Sequence, residues 1–181
     1  MRTELRLKWN NTFDPLNWSK ADIEYAHVMP RKFISHHQVN LQTTQCITIV
    51  RNTYDRLVSC WSYGRKHSLS YALPTFDAFI RSIHSNRANL QVLPLWWMFA
   101  PIDKYFEGVP LDKIRFFDTN NLYSVLDYLK SRKLESPTSI QKTNSTIHNH
   151  YSSYYTPELV SMVQQVYAWE LQRFKYRFDQ K

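Results

Sequence analysis

Glycine is scarce in this chain of 181 residues, which contains only Gly64 and Gly108. Glycine-rich phosphate loops need several glycines at fixed spacing, so a Walker loop and a Rossmann dinucleotide fingerprint are both excluded. Cysteine is equally scarce, and Cys46 and Cys60 are too few for a disulfide framework or a structural zinc site. Because one lies in a predicted strand and the other in the next helix, both are expected to be buried thiols.

Long apolar runs are also lacking. No stretch is long enough to cross a membrane, and residues 1–6 lack the apolar core of a signal peptide. Positive charge, in contrast, is in excess: 23 Lys and Arg against 15 Asp and Glu give a net charge of +8. This balance suits an anionic partner, such as a nucleotide, an acidic glycan, nucleic acid or an anionic membrane.

The length predicts one domain over residues 1–181, with an irregular segment at 1–20. Strands are predicted at 45–51 and 113–117, and residues 93–107 are expected to be partly helical. Helices are predicted at 21–26, after Pro30, at 54–67, 76–85 and 120–130, and from Pro157 to the end, with a loop at 131–150. Strands that alternate with helices predict an α/β fold with a mainly parallel sheet.

The most informative stretch begins at Thr48 and reads TIVRNTYDRLVS. A β-prone run ends on Arg51, a polar turn follows, and Ser59 lies eight residues after the arginine on a predicted helix. A guanidinium at the N-terminus of a helix is suited to binding phosphate. It can donate hydrogen bonds to two phosphate oxygens, while the first turn of the helix supplies free backbone N–H groups. For Arg56, two roles stay open: a phosphate contact, or an ion pair with Asp55 or a distant carboxylate.

This stretch resembles the 3′-phosphate-binding motif of sulfotransferases, Arg-Asn/Asp-Pro-Tyr/Phe-x-Arg-Leu-Val-Ser, with Thr53 in place of the proline. The resemblance covers roughly residues 21–178. It includes the aromatic segment at 96–106, the strand at 114–118 with Asp118 offset by an extra residue, and the segment at 144–159. The ending at 166–176 resembles that of membrane-type carbohydrate sulfotransferases, with Glu170 where an aspartate is usual.

The resemblance implies a sulfotransferase-like, P-loop-kinase-like parallel sheet flanked by helices. It implies that Arg51 and Ser59 bind the 3′-phosphate of 3′-phosphoadenosine-5′-phosphosulfate, which donates a sulfuryl group to a carbohydrate hydroxyl. The scheme needs no metal and no nucleic acid. The positive charge would suit an acidic glycan as the acceptor. The resemblance also suggests the Golgi lumen or a membrane association, and a homo-oligomer is compatible with it.

The acceptor hydroxyl must lose a proton, and histidine suits that role near neutral pH. Related uronosyl sulfotransferases carry a histidine a little over twenty residues before the arginine, which makes His27 the predicted base. A surface histidine is the alternative reading of His27, and His36 and His37 are the next choices. A metal role for that histidine pair is discounted, because no carboxylate or cysteine stands at ligand spacing.

One expected element is absent from the sequence. Sulfotransferases hold the 5′-phosphosulfate with a loop that reads roughly Pro-Lys-x-Gly-Thr/Ser, and no glycine precedes Gly64. The chain is therefore expected to be a fragment, a truncated product or a degenerate homologue. Two other functions stay open: a catalytically inactive protein of the same fold that binds nucleotide or glycan, and a basic nucleic-acid-binding module. The polar loop with Lys142, Asn144 and His148 either is solvated surface or closes over the nucleotide.

Overall fold

The structure, a computed structural model, describes residues 30–36, 38–70, 73–134 and 148–178. The chain divides into two compact units, Met1–Val39 and Asn40–Lys181. In the first unit, helix α1 spans Pro30–His36, where a helix after Pro30 was expected, and proline suits the first turn of a helix. The irregular segment at 1–20 and the predicted helix at 21–26 lie outside the described residues.

The second unit contains a two-stranded sheet formed by β1, Cys46–Val50, and β2, Ile114–Asp118. The strands are parallel, in a register that pairs Cys46 with Ile114 and Val50 with Asp118. Parallel neighbours need a crossover connection, and here three helices lie between the two strands in sequence. The described part of the chain is therefore mixed α/β with a parallel sheet, which confirms the predicted class.

The helices of the second unit follow the predicted order. They are α2 Thr53–Lys66, α3 Phe76–Ser85, α4 Ile102–Tyr105, α5 Tyr123–Ser131, α6 Pro157–Val166 and α7 Ala168–Phe174. Short 3₁₀ turns occur at Leu90–Val92, Trp96–Met98, Leu111–Lys113, Thr119–Asn121 and Tyr151–Tyr154. None of the described helices combines the length and the apolar composition that a bilayer crossing requires.

Local signals explain where these helices begin. The side chain of Asn52 accepts a hydrogen bond from the backbone N–H of Tyr54 and so caps α2. Thr75 caps α3 and Thr156 caps α6 in the same way, and Pro157 stands at the first position of α6. These caps satisfy N–H groups that have no partner within their own helix.

The core lies where α2, α3 and α6 meet. Apolar side chains at helical spacing on α3 pack against α6, and the inner face of α2 joins them. The residues with at most 1% exposure in this cluster are Tyr54, Leu57, Val58, Phe79, Ile80, Ile83, Phe99, Leu159, Val163 and Tyr167. This core holds α2, and with it the motif that follows β1, in one position.

Three local predictions were wrong. The single helix expected from Pro157 onwards is interrupted at Tyr167, which leaves helical geometry with φ −110° and ψ 22° and separates α6 from α7. Neither Thr119 nor Asn120 caps α5, whose N-cap position is Leu122 with no side-chain hydrogen bond, while Asp118 caps the 3₁₀ turn before it by accepting from the N–H of Asn120. Cys60 is buried as expected, whereas Cys46 is only partly buried.

Candidate functional site

The carboxyl ends of the two strands meet at one edge of the sheet, where β1 leads into Arg51 and β2 ends at Asp118. Ligands of parallel α/β proteins bind in the crevice outside these ends. A cleft of about 530 Å³ lies there. It is lined by Asn52, Asp55, Asp118, Asn120, His150, Tyr151, Phe174 and Tyr176.

Arg51 is held at the rim of this edge. Its Nε donates to Oδ2 of Asp55 at 2.5 Å, and the two side chains are 36% and 27% exposed. No described residue accepts a hydrogen bond from its Nη atoms. One edge of the guanidinium is therefore oriented by the protein, while the other has donors to offer to a ligand.

Ser59 lies one helical turn after Asp55 on α2 and is half-buried. Residues four apart on a helix share a face, so Asp55 and Ser59 line one side of α2. The structure thus places Arg51 next to Asp55, and Ser59 one turn further along the same face.

Arg56 has a different role from Arg51. Its Nη2 donates to Oε1 of Glu170 at 2.7 Å and its Nη1 to the carbonyl of Ala100 at 3.2 Å, while the guanidinium carbon lies 5.6 Å from the ring centre of Tyr167. Burial acts to lower the pKa of Arg56, but the charge of Glu170 and its hydrogen bond outweigh this effect and raise it. Of the two roles left open, the ion pair with a distant carboxylate is the one that forms.

Glu170 is the distant carboxylate that pairs with Arg56, a contact that the sequence did not reveal. It projects from α7, is 0% exposed, and accepts three hydrogen bonds. Oε1 takes the hydroxyl of Thr53 at 2.6 Å as well as Arg56, and Oε2 takes the backbone N–H of Ile102 at 2.9 Å. The available signal was an acid within the apolar stripe of the last helix, since a buried carboxylate requires a charged partner.

The wall of the cleft also carries a histidine, His150. Its Nδ1 accepts a hydrogen bond from the N–H of Ser152 and lies 2.8 Å from the hydroxyl of the same residue. Nε2 forms no hydrogen bond with a described residue, so it is the ring nitrogen left for a ligand.

The C-terminal segment completes the cleft. Tyr176 donates to Oδ2 of Asp118 at 2.8 Å, and burial together with this carboxylate raises the pKa of Tyr176. Tyr151 donates to the carbonyl of Phe178 at 2.7 Å, and the ring of Phe178 packs edge-on against Tyr54. A second cavity of about 530 Å³ lies behind this segment. It is lined by Tyr54, Gln164, Ala168, Leu171, Gln172, Tyr176, Arg177 and Phe178.

Four of the remaining candidates lie outside the described residues: His27, His37, Lys142 and Asn144. His36 is the last residue of α1, in the first unit. His148 is part-buried, with Nδ1 2.8 Å from the carbonyl of Asn149 and its ring edge-on to Tyr154.

The polar groups at the strand ends are suited to an oxygen-rich ligand. Asn52, Asn120 and His150 line the cleft and carry side-chain nitrogens, and aromatic rings supply apolar walls. Arg51 follows β1 beside this edge. In the described segments, no three His, Cys, Asp or Glu side chains are grouped closely enough to hold a metal ion. No protein-family model, no curated protein and no solved structure matches the chain.

Proposed function

We propose that the protein is a sulfotransferase whose strand-end cleft holds the nucleotide 3′-phosphoadenosine-5′-phosphosulfate. Arg51 and Ser59 bind the 3′-phosphate, and the sulfuryl group passes to a carbohydrate hydroxyl. The observation that carries the proposal is the orientation of Arg51, which Asp55 holds at the carboxyl end of a parallel strand beside the capped start of α2.

The proposed reaction is a direct displacement at sulfur. The acceptor oxygen forms a bond to sulfur, the bond from sulfur to the 5′-phosphate oxygen breaks, and the products are a sulfate ester and 3′,5′-adenosine bisphosphate. In this scheme His27 takes the hydroxyl proton as general base. The donor would be 3′-phosphoadenosine-5′-phosphosulfate as a co-substrate, and by resemblance the compartment would be the Golgi lumen.

Of the two arginines in the motif, Arg51 is the one with donors left for a phosphate. The charged residues that line the cleft itself are Asp55 and Asp118. Arg56 is turned inward to Glu170, so it does not compete for the ligand. Asp55 lowers the affinity of the site for anions, but it also holds the guanidinium in place before the ligand arrives. An arginine already oriented in this way loses less conformational entropy when it binds a phosphate.

A second function is favoured by one specific observation, the absence of a Pro-Lys-x-Gly-Thr/Ser loop from the sequence. A protein of this fold without the loop would bind the nucleotide through Arg51 and Ser59 and lack the group that stabilises charge on the sulfuryl. Incubation with the donor and a panel of glycans, followed by mass measurement of the glycans, separates the two functions. Sulfated products identify the enzyme, and bound nucleotide without products identifies the binder.

The binding step is tested by calorimetric titration of 3′,5′-adenosine bisphosphate into the wild type and into Arg51→Ala. A charge-assisted hydrogen bond contributes about 1.5–3 kcal/mol, so the variant should bind about 10- to 100-fold more weakly. Arg87→Ala is the matched control, because it removes the same charge from an exposed side chain whose described hydrogen bond goes to the carbonyl of His84. Equal affinity of wild type and Arg51→Ala, or no binding by the folded wild type, would refute the proposal.

A further inference from the structure

The inner and outer faces of α2 carry different groups. Thr53, Leu57 and Cys60 recur at helical spacing on the inner face and are buried. Asp55 and Ser59 lie on the opposite face, at angles of roughly 200° and 240° from Thr53 at about 100° per residue. The rotation of α2 about its own axis therefore determines where Asp55 and Ser59 lie relative to the end of β1.

Glu170 contacts α2 at its first turn, where this rotation is set. Thr53 is the first residue of α2, and both its hydroxyl and the Nη2 of Arg56 bind the same oxygen of Glu170. The other oxygen accepts from the backbone of Ile102, at the start of α4. One buried carboxylate thus links the first turn of α2 to two other elements, α7 and α4.

Stability alone is a weak explanation for a buried carboxylate at this position. A buried ion pair often contributes no more to stability than apolar side chains of the same size would, because both charges must be desolvated. The buried ion pair does restrict the geometry of its partners, because the donors must meet the two carboxylate oxygens at fixed angles. The apolar contacts of α2 hold it against the core, and these directed hydrogen bonds add a further constraint on its rotation.

We infer that Glu170 is a positioning residue for the proposed phosphate site at Arg51 and Ser59. Through Thr53 and Arg56, it sets the rotation of α2 about its axis. This rotation in turn determines the placement of Asp55, Ser59 and the Arg51 guanidinium. The inference rests on the proposed nucleotide binding at Arg51. The carboxylate itself takes no part in binding, because it is fully buried and its oxygens accept hydrogen bonds from protein donors.

The decisive variants are at Thr53, because its hydrogen bond to Glu170 can be removed without changing any charge. Thr53→Val keeps the branched shape and removes the hydroxyl, whereas Thr53→Ser keeps the hydroxyl and removes a buried methyl group. Both are expected to lose some stability. If Glu170 acts by positioning, only Thr53→Val should bind 3′,5′-adenosine bisphosphate more weakly, by about tenfold, which is within the range typical of coupled sites.

Glu170→Gln is a second test, because the amide keeps the size of the side chain and loses its charge. Affinity is measured by calorimetry at a temperature where urea titration shows every variant to be folded. Weakened binding by Thr53→Val and Glu170→Gln with wild-type affinity in Thr53→Ser supports the positioning role. Wild-type affinity in Thr53→Val refutes it and leaves the proposed function standing. A folded wild type that binds no bisphosphate refutes the proposed function, and the positioning role with it.

Discussion

The ion pair between Arg56 and Glu170 offers the sharpest test of the energetics of this fold. Glu170→Gln keeps the shape of the side chain but replaces one oxygen with an NH₂ group. The amide oxygen can still face Thr53 and Arg56, but the NH₂ group then meets the N–H of Ile102, so one hydrogen bond is lost and two donors oppose each other.

The expected cost follows from burial. Removing one partner of a buried pair costs about 3–5 kcal/mol, and the 20% exposure of the Arg56 side chain favours the lower end of that range. A loss of about 3 kcal/mol is a large share of the roughly 5–15 kcal/mol that stabilises a typical domain. With a urea dependence of about 2 kcal/mol per molar, the unfolding midpoint should fall by about 1.5 M.

A double-mutant cycle isolates the pair from the other contacts of Glu170. Arg56→Met keeps an unbranched apolar side chain in place of the arginine stem and removes the guanidinium. In the double variant neither charge remains buried, so it should be more stable than the sum of the single losses predicts, by about 2 kcal/mol or more. Urea unfolding of all four proteins measures this coupling. Losses that add to within about 0.5 kcal/mol would show that the two side chains act independently, and the reasoning would be wrong.

Two further predictions concern buried tyrosines. Tyr167→Phe removes the hydroxyl that donates to the carbonyl of Phe99 at 2.7 Å. Because the buried carbonyl then has no partner, the free energy of unfolding measured in urea should fall by about 1–3 kcal/mol. An unchanged unfolding midpoint would contradict this expectation. Alkaline pH should also destabilise the fold, because burial raises the pKa of Tyr54, Tyr155, Tyr167 and Tyr176 above the ordinary value of 10. The unfolded chain releases these protons at a lower pH than the folded chain does. The contribution of these tyrosines to the free energy of unfolding is therefore fully present below pH 10 and is lost as pH rises further. Unfolding free energies at pH 9 and 11 should therefore differ less in Tyr167→Phe than in the wild type, and an equal difference would count against this assignment.

Local signals were sufficient wherever structure depends on near neighbours. Thr75 before an apolar stripe predicted the start of α3, and Thr156-Pro157 predicted the start of α6, because a cap needs only groups within three residues. The β-prone run that ends at Val50 predicted β1 for a similar reason. The parallel pairing with β2 followed from the alternation of strands and helices.

Signals of this kind failed where a distant contact decided the outcome. The apolar stripe after Pro157 predicts one helix, yet the chain breaks at Tyr167, whose ring is buried and whose hydroxyl reaches the backbone of Phe99. Periodicity cannot reveal such a break, because the hydrogen-bond partner lies 68 residues away.

The candidate site likewise has one part that local signals predicted and another that distant contacts decided. The spacing of Arg51 and Ser59 could be read from the sequence, since a strand end followed by a helix places them by local geometry. The sequence offered Asp55 as a partner for Arg56, whereas the structure pairs it with Arg51. The sequence by itself thus determined the α/β class, most element boundaries and the motif that could hold a phosphate. Only the tertiary structure decided the partner of each arginine. Glu170 lies 114 residues after Arg56 and turns it inward, because a buried carboxylate requires a charged partner, whereas Arg51 stays partly exposed and pairs with Asp55.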